Sequence, residues 1–342
     1  MFGYPWWRLV IGLVVLVVVA VVASSQGSVK MPPFTVAQIL VDRLPLVDLA
    51  ATWPEEWGVI LWKLRLPRIA LAAVVGAALA MSGSTYQGLF RNPLAAPSLI
   101  GAMSGAGLGA TIVMLTSVPL YFVGVSLVPI AAFAGAIAAV AAAYLIARQA
   151  GGTPLVTLIL AGVAIGSLAS AVTGLLMIRS DPDLRPVLSW LMGGFIAAQW
   201  KHSVMVLPYL VPSLIAVLAY SRILNLLHLG EEHAQQLGVN LERTKLVLIT
   251  AATLATAAAV SVSGLIGFVG IVAPHAVRLV WGSDYRFLLP MSCIVGAGFL
   301  ILADLVARTI ASPAELPVGV VTAFCGAPLF LYLLRRSRRV PM

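Results

Sequence analysis

The sequence predicts an all-α polytopic membrane protein with about ten transmembrane helices, on three observations. Of its 342 residues, 61% are hydrophobic and 10% charged, whereas a soluble domain is about half apolar and about a quarter charged. Mean hydropathy is +1.04. Apolar stretches of about 20 residues, the length that crosses a bilayer, follow one another along the chain and leave no length for an extramembrane domain. Residues 1–342 are therefore expected to form a single transmembrane domain. A net charge of +9 would suggest nucleic acid in a soluble chain; here it reflects basic loops and a basic tail.

The spans are expected, in order, at Trp6–Ser25, Ile60–Met81, Leu94–Leu115, Leu120–Ala147, Leu155–Ile178, Trp190–Tyr220, Leu246–Val262, Leu265–Val280, Phe287–Ala307 and Val318–Leu334. The first has the look of a signal peptide, with Arg8, an apolar run from Leu9 to Ala23 and the small residues Ala23-Ser24-Ser25. With its aromatic flank of Trp6 and Trp7 it is long enough to cross, and an uncleaved first span is expected. The sixth is too long for one helix, and Gly193-Gly194 is expected to end a separate short helix before Lys201. The eighth, carrying Gly267, Gly270 and Pro274, should be short or tilted. Small residues such as Gly76, Ser82, Gly83, Gly101, Gly105 and Gly109 let backbones approach closely. Cys293 and Cys325 fit no disulfide or metal spacing and are expected to be small core residues.

An even number of spans puts both termini on one side, and Arg335-Arg336-Ser337-Arg338-Arg339 makes that side cytoplasmic. Alternation then places Arg8, Arg91, Arg148, Arg222, Arg243, Lys245, Arg278 and Arg286 inside as well. Lys30, Arg43, Lys63, Arg65, Arg68, Arg179, Arg185, Lys201 and Arg308 fall outside. The exterior is more basic than insertion favours, which points to a task for external arginines.

One polar island, Leu226 to Val239, interrupts the apolar pattern on the cytoplasmic side. Leu226, Leu229, Ala234 and Leu237 can line one side of a short helix, with Glu231, Glu232, Gln235 and Gln236 on the other. Such a helix can lie at the bilayer surface and face a cytosolic partner; the alternative is a solvated loop. There is no Gly-x-x-x-x-Gly-Lys-Ser/Thr phosphate loop, so ATP chemistry of that kind belongs to another chain. No His-Glu-x-x-His, Cys-x-x-Cys or exposed Gly-x-Ser-x-Gly elbow supports a metal site or an intramembrane enzyme. A secondary transporter or channel is the other reading, but the spans lack an acidic relay. Asp304 is the one acid deep in an apolar segment, with Arg308 one turn later as its expected partner. His275 is assigned a packing or helix-end role.

Several patterns occur in a fixed order. Arg65-Leu66-Pro67-Arg68 precedes Ser82-Gly83, Gln87 and Arg91-Asn92-Pro93-Leu94-Ala95-Ala96-Pro97. Trp190-Leu191-Met192-Gly193-Gly194, Gly230-Glu231, Leu237-Gly238 and Gly267-Phe268-Val269-Gly270 follow, then Pro274-His275 and Leu289-Pro290. Asp304, Arg308, Glu315-Leu316-Pro317-Val318-Gly319 and Gly326-Ala327-Pro328 close the series. From Arg65 to Leu334 the chain resembles the permease subunit of ABC importers for iron chelates (siderophore, haem) and vitamin B12, the FecCD type.

The resemblance implies a type II importer architecture in a bacterial or archaeal cytoplasmic membrane. It implies a homodimer, two cytosolic ATPase subunits that carry ATP and Mg, and a periplasmic or lipoprotein substrate-binding protein, with no cofactor or metal on this chain. Coupling to the ATPase is assigned to about 221–245, through Gly230, Glu231, Glu232, Ala234, Leu237 and Gly238. Arg65, Arg68 and Arg308 match positions that receive acidic residues of the binding protein, a task that suits guanidinium groups. Asn92 and Leu94, on a backbone bent by Pro93 and Pro97, match a cytoplasmic gate, joined by Thr153 in Gly151-Gly152-Thr153-Pro154. A smooth path is expected along Gly162, Ala164, Gly166, Ser167, Val320 and Ala323. Asp183-Leu184-Arg185 ahead of Trp190, and Glu315 through Ala323, look like vitamin B12 permeases, but iron-chelate members are more numerous, and an iron chelate is the expected cargo.

Overall fold

The computed structural model describes residues 6–27, 29–43, 53–116, 120–122, 125–150, 152–179 and 184–337. Apart from one antiparallel pair, Tyr121–Phe122 with Val125–Ser126, and an isolated bridge between Gln149 and Gly152, the regular structure there is helical. The chain opens with α1 (Trp6–Ser25), α2 (Pro33–Asp42) and α3 (Glu55–Ile60). A π-helical turn, Leu61–Arg65, joins α3 to α4 (Leu66–Leu89), so that Glu55–Leu89 is one rod. A 3-10 turn (Pro97–Ile100) leads to α5 (Ala102–Leu115), followed by α6 (Leu127–Ala147), α7 (Leu155–Arg179), α8 (Arg185–Met192) and α9 (Trp200–Ala219). The island forms α10 (Ser221–Leu227) and α11 (Glu231–Gln236). Then come α12 (Leu241–Ser263), α13 (Val269–Trp281), α14 (Tyr285–Thr309) and α15 (Val318–Ser337).

Among the described residues seven helices are long and apolar enough to cross a membrane. Shorter apolar helices at Ala102–Leu115, Val269–Trp281 and Val318–Leu331 account for the other expected segments. Two of these start later than the hydropathy suggested. The third begins at Ala102 rather than Leu94, because prolines at 93 and 97 and a left-handed Gly101 (φ 84°) hold a turn first. The eighth begins at Val269, since Gly264 and Phe268 both carry positive φ. The sixth segment divides into α8 and α9 at Gly193, as anticipated. The short α2 was not foreseen; its Val36 and Ile39 pack with Met31 and Leu61 against the start of the long rod.

The rod 55–89 and α12 form the centre, with 61% and 72% of their apolar windows buried against 17% for α1. Close approach explains how these helices pack. A Cβ on Gly83 of α4 would stand 2.1 Å from the carbonyl oxygen of Gly270 in α13, so only glycine allows that contact. One apolar cluster runs from Ala23 and Ile69 to Ala307; the other gathers Tyr86, Leu224, Leu248 and Leu288, with Leu9 packed against it. The first turns of α1 therefore lie at the same end as α10.

At the opposite end, α8, α12 and α15 meet through main chain. Gly194 donates its N–H to the Ser263 carbonyl (2.8 Å) and Val318 to that of Gly193 (3.0 Å). A Cβ on Gly264 would come 2.1 Å from the Trp190 oxygen, and one on Gly319 2.2 Å from that of Met192. The cysteine expectation holds only in part. Cys293 is half-buried, whereas Cys325 is exposed on α15, an outer helix whose Phe324 is also open.

Candidate functional site

The island is not one amphipathic helix. Gly230 (φ 119°) breaks it, and α11 starts as a separate helix. Ala234 is fully buried and anchors α11. Leu229 and Leu237, expected beside it, are each 66% exposed, and Glu232, His233, Gln235 and Gln236 are exposed too. A six-residue helix between two turns has room for one inward side chain, so the remaining side chains form an outward face of two leucines, an acid and amides. Gly238 (φ 84°) ends α11 by donating to Gln235 O (2.9 Å), while Val239 donates to Ala234 O (3.1 Å).

Two polar contacts hold the island to the bundle. In α10, Asn225 donates Nδ2–H to Asp284 Oδ1 (2.8 Å) and accepts the backbone N–H of Tyr285 (2.9 Å), which pins it to the start of α14. Asp284 also caps α14 and chelates Arg286; the Arg286 guanidinium and the Asn225 bond hold its carboxyl down at about 2. His228, within hydrogen-bond reach of Tyr285 Oη, is shifted below the usual imidazole range by burial and by the nearby Arg278 and Arg91.

The second contact reaches the predicted gate. Thr153 donates its backbone N–H and its hydroxyl to the two carboxylate oxygens of Glu242, each at 2.9 Å. Lys245 Nζ donates to the Thr153 carbonyl (3.1 Å) and to Glu231 Oε2 (3.0 Å), with Glu242 Oε1 at 3.6 Å. These groups border an open cleft of about 970 Å³ with Arg91, Gly230 and Glu232. The structure thus joins Thr153 to Glu231. Asn92 and Leu94 do not line this cleft: the Asn92 carboxamide accepts the Leu94 N–H (2.9 Å), fixing the turn beside Arg91. Gly151 lies outside the described residues. Lys245 and Glu242 were not picked out from the sequence, although an acid–base pair at i, i+3 opening an apolar helix is a readable signal.

The three arginines expected outside converge at the far end of α14, roughly 37 Å from Asp284 at 1.5 Å per residue. None presents an open guanidinium. Arg65, 6% exposed, donates to the carbonyls of Ser24 and Val29. Arg308 donates to the carbonyls of Ala23 and Gln26. Arg68 grips Asp304 through Nε (3.0 Å to each oxygen) and Nη2 (2.8 Å), and reaches Glu315 through Nη1 (2.9 Å). The expected pairing of Asp304 with Arg308 is present but loose, at 3.8 Å, because the end of α1 engages Arg308; the closer partner of the acid is Arg68.

The expected path is revised at two of its six positions. Gly162 and Gly166 are buried, Gly162 beneath Ile100, where a Cβ would meet backbone at 2.5 Å; they pack the turn before α5. Ala164 and Ser167 are exposed. Val320 and Ala323 do line an apolar groove of about 560 Å³ with Leu191, Met192, Leu265 and Phe324. Among the described residues no trio of His, Cys, Asp or Glu is placed to hold a metal ion. Asp183, Arg338 and Arg339 lie outside the described residues.

The model of the FecCD transport family matches residues 13–336. The chain belongs to the FecCD family. This FecCD permease is 48% identical over 282 residues to the cobalamin import permease BtuC of Halobacterium salinarum, covering 82% of this chain and 75% of that one. It is 41% identical over 340 residues to the hemin transport permease HmuU of Yersinia pestis, covering 97% and 96%. A solved structure described as an inward-facing metal-chelate type ABC transporter superposes with a TM-score of 0.82 at 32% identity, over 97% of this chain and all of that one. The PsaBC structure from Streptococcus pneumoniae, at 17% identity and a TM-score of 0.56 over 78% of this chain and 90% of that one, shares the fold. The FecCD permease is a multi-pass subunit of a prokaryotic ABC importer and is not itself an ATPase.

Proposed function

We propose that this permease works as a homodimer with two cytosolic ATPase subunits and a substrate-binding protein, and imports a bulky metal chelate. Both termini and the island would face the cytoplasm. The outward face of α11, with Gly230, Glu231, Glu232, Leu237 and Gly238 around the anchor Ala234, would seat in the ATPase. Asn92, Leu94 and Thr153 would form the cytoplasmic gate. At the other end, Arg65, Arg68 and Arg308 would shape the docking surface for the binding protein. There Glu315, with its side chain 34% exposed, is the partner that an incoming carboxylate can displace from Arg68.

The observation that carries this reading is the cleft in which the island and Thr153 share Lys245. A driven helix and a gate segment in polar contact are what a two-state, ATP-driven permease needs. For the cargo, 48% identity to a relative named for cobalamin against 41% to one named for hemin favours a corrinoid over the iron chelate expected from sequence.

The test is uptake into proteoliposomes holding the permease with its ATPase and binding protein, offered cyanocobalamin, hemin or a ferric hydroxamate. ATP-dependent accumulation of cyanocobalamin is expected. Accumulation of hemin or the hydroxamate alone would overturn the corrinoid assignment. Undiminished uptake after Glu231→Arg and Glu232→Arg would overturn the coupling assignment, and unchanged binding-protein affinity after charge reversal at Arg65, Arg68 and Arg308 the docking one.

A further inference from the structure

Lys245 is a nearly enclosed cation, 6% exposed, in the first turns of α12. An ammonium has three N–H donors and no acceptor, and burial requires an oxygen near each. The oxygens come from separate pieces of chain: the Thr153 carbonyl ahead of α7, Glu231 at the start of α11, and Glu242 one turn back on α12. Glu242 in turn accepts both the N–H and the hydroxyl of Thr153. All three polar groups of Thr153 are therefore tied to the Glu242–Lys245 pair, and α11 is tied to the same ammonium.

Neutralising two carboxylates would not require a carbonyl from a third segment. What the arrangement adds is mechanical. α11 sits between Gly230 and Gly238, both at positive φ, and is held inward by Ala234 and by Glu231. α10, by contrast, is pinned to α14 through Asn225. A force on the outward face of α11 thus meets its polar resistance at the 3.0 Å Lys245–Glu231 contact. N–H···O bonds occupy a window of about 2.7–3.2 Å, so a shift of about 1 Å either breaks this contact or drags the ammonium and Thr153 with it.

We infer that Lys245, assisted by Glu242, is the positioning residue that transmits displacement of the coupling helix α11 to the gate segment at Thr153. The inference deepens the coupling and gate assignments above and rests on them. Glu231 keeps 30% of its side chain exposed, so an ATPase seated on α11 can reach the acid while Lys245 holds it from behind.

The test uses the complete transporter, permease with ATPase and binding protein, carrying Cys293→Ser and Cys325→Ser. Val156 lines the same cleft and is 70% exposed; Val156→Cys serves as the reporter, labelled by a membrane-impermeant maleimide from the cytoplasmic side. With Lys245 intact, labelling should differ between the nucleotide-free state and the state held by a non-hydrolysable ATP analogue. Lys245→Met should erase that difference and lower ATP-driven uptake about tenfold or more, within the range of a coupling free energy between two sites, while the ATPase still co-purifies. Lys245→Arg should restore both. Glu242→Gln, at a more exposed position, should give the same loss in weaker form if Lys245→Met fails to fold. A Lys245→Met transporter that keeps the nucleotide-dependent labelling and near-normal uptake would overturn the inference. So would loss of ATPase co-purification, which would make Lys245 a docking residue. If Val156→Cys shows no nucleotide response even with Lys245 present, the gate assignment itself falls and takes the inference with it.

Discussion

Arg68 and Asp304, 236 residues apart, meet in a forked ion pair at 2.8–3.0 Å with the acid 1% exposed. Breaking a buried pair on one side leaves an uncompensated charge and costs about 3–5 kcal/mol, whereas replacing both partners with apolar groups is often neutral. Asp304→Leu should therefore destabilise the folded protein by about 3 kcal/mol or more, and Arg68→Met/Asp304→Leu by less than half as much. Thermal unfolding in detergent reads the difference. Equal losses would show that the pair acts through shape alone.

Gly83 faces the Gly270 backbone with no slack. Gly83→Ala must push α4 from α13 or shift both, a kind of overpacking that costs about 1–3 kcal/mol even where side chains can yield, and here the obstacle is a carbonyl 2.1 Å from the new methyl. Gly174→Ala, whose added carbon would meet nothing within 4 Å, should leave folding unharmed. The monodisperse fraction after detergent extraction reports both, and a well-folded Gly83→Ala protein would overturn the packing argument.

Asp284 links acid stability to the island. Its carboxyl is held down at about 2 from an ordinary 3.8, so folding favours the charged form. The stabilisation is complete above the unfolded value and is lost as pH falls through the folded one, between about pH 4 and 2. Asp284→Asn should flatten the stability profile in that window only. With 44% of the side chain exposed, solvent screening keeps this contribution small. At neutral pH, Asp284→Ala, which also removes the cap of α14, should cost about 1 kcal/mol.

Cys325 and Cys293 report on α15. Cys325 is exposed beside Phe324, itself 77% exposed, whereas Cys293 is half-buried. A permeant maleimide should modify Cys325 well before Cys293 in the dissociated subunit. Assembly of the proposed dimer over the groove at Val320 and Ala323 should slow that reaction; an unchanged rate on assembly would place the dimer contact elsewhere.

What the sequence revealed was local. Ten apolar segments, the division at Gly193-Gly194, the short eighth helix and the polar island are all written in neighbouring residues, and each corresponds to an element of the bundle. The errors lie where distant chain decides. Arg308, the nearest arginine to Asp304 in sequence, does pair with it at 3.8 Å, but the closer partner is Arg68, 236 positions away. Leu229 and Leu237 fit one helical face only if the helix continues, and the positive φ of Gly230 ends it. The link from Lys245 to Thr153 spans 92 positions, beyond the reach of any periodicity. Gly162 and Gly166 looked like a smooth wall because small residues serve packing and passage alike, and composition does not separate the two.

The junction where Gly194 donates to Ser263 and Val318 to Gly193 through main chain bears on how such a permease can diversify. A joint built from peptide groups needs small residues at its crossing points but places no demand on the side chains around it. Leu191, Met192, Val320 and Ala323, which line the neighbouring groove, can then be exchanged for larger or more polar residues without moving the helices that carry them. The frame and the lining are then under separate control: peptide groups fix the helices, and the character of the groove is left to side chains that carry none of that load.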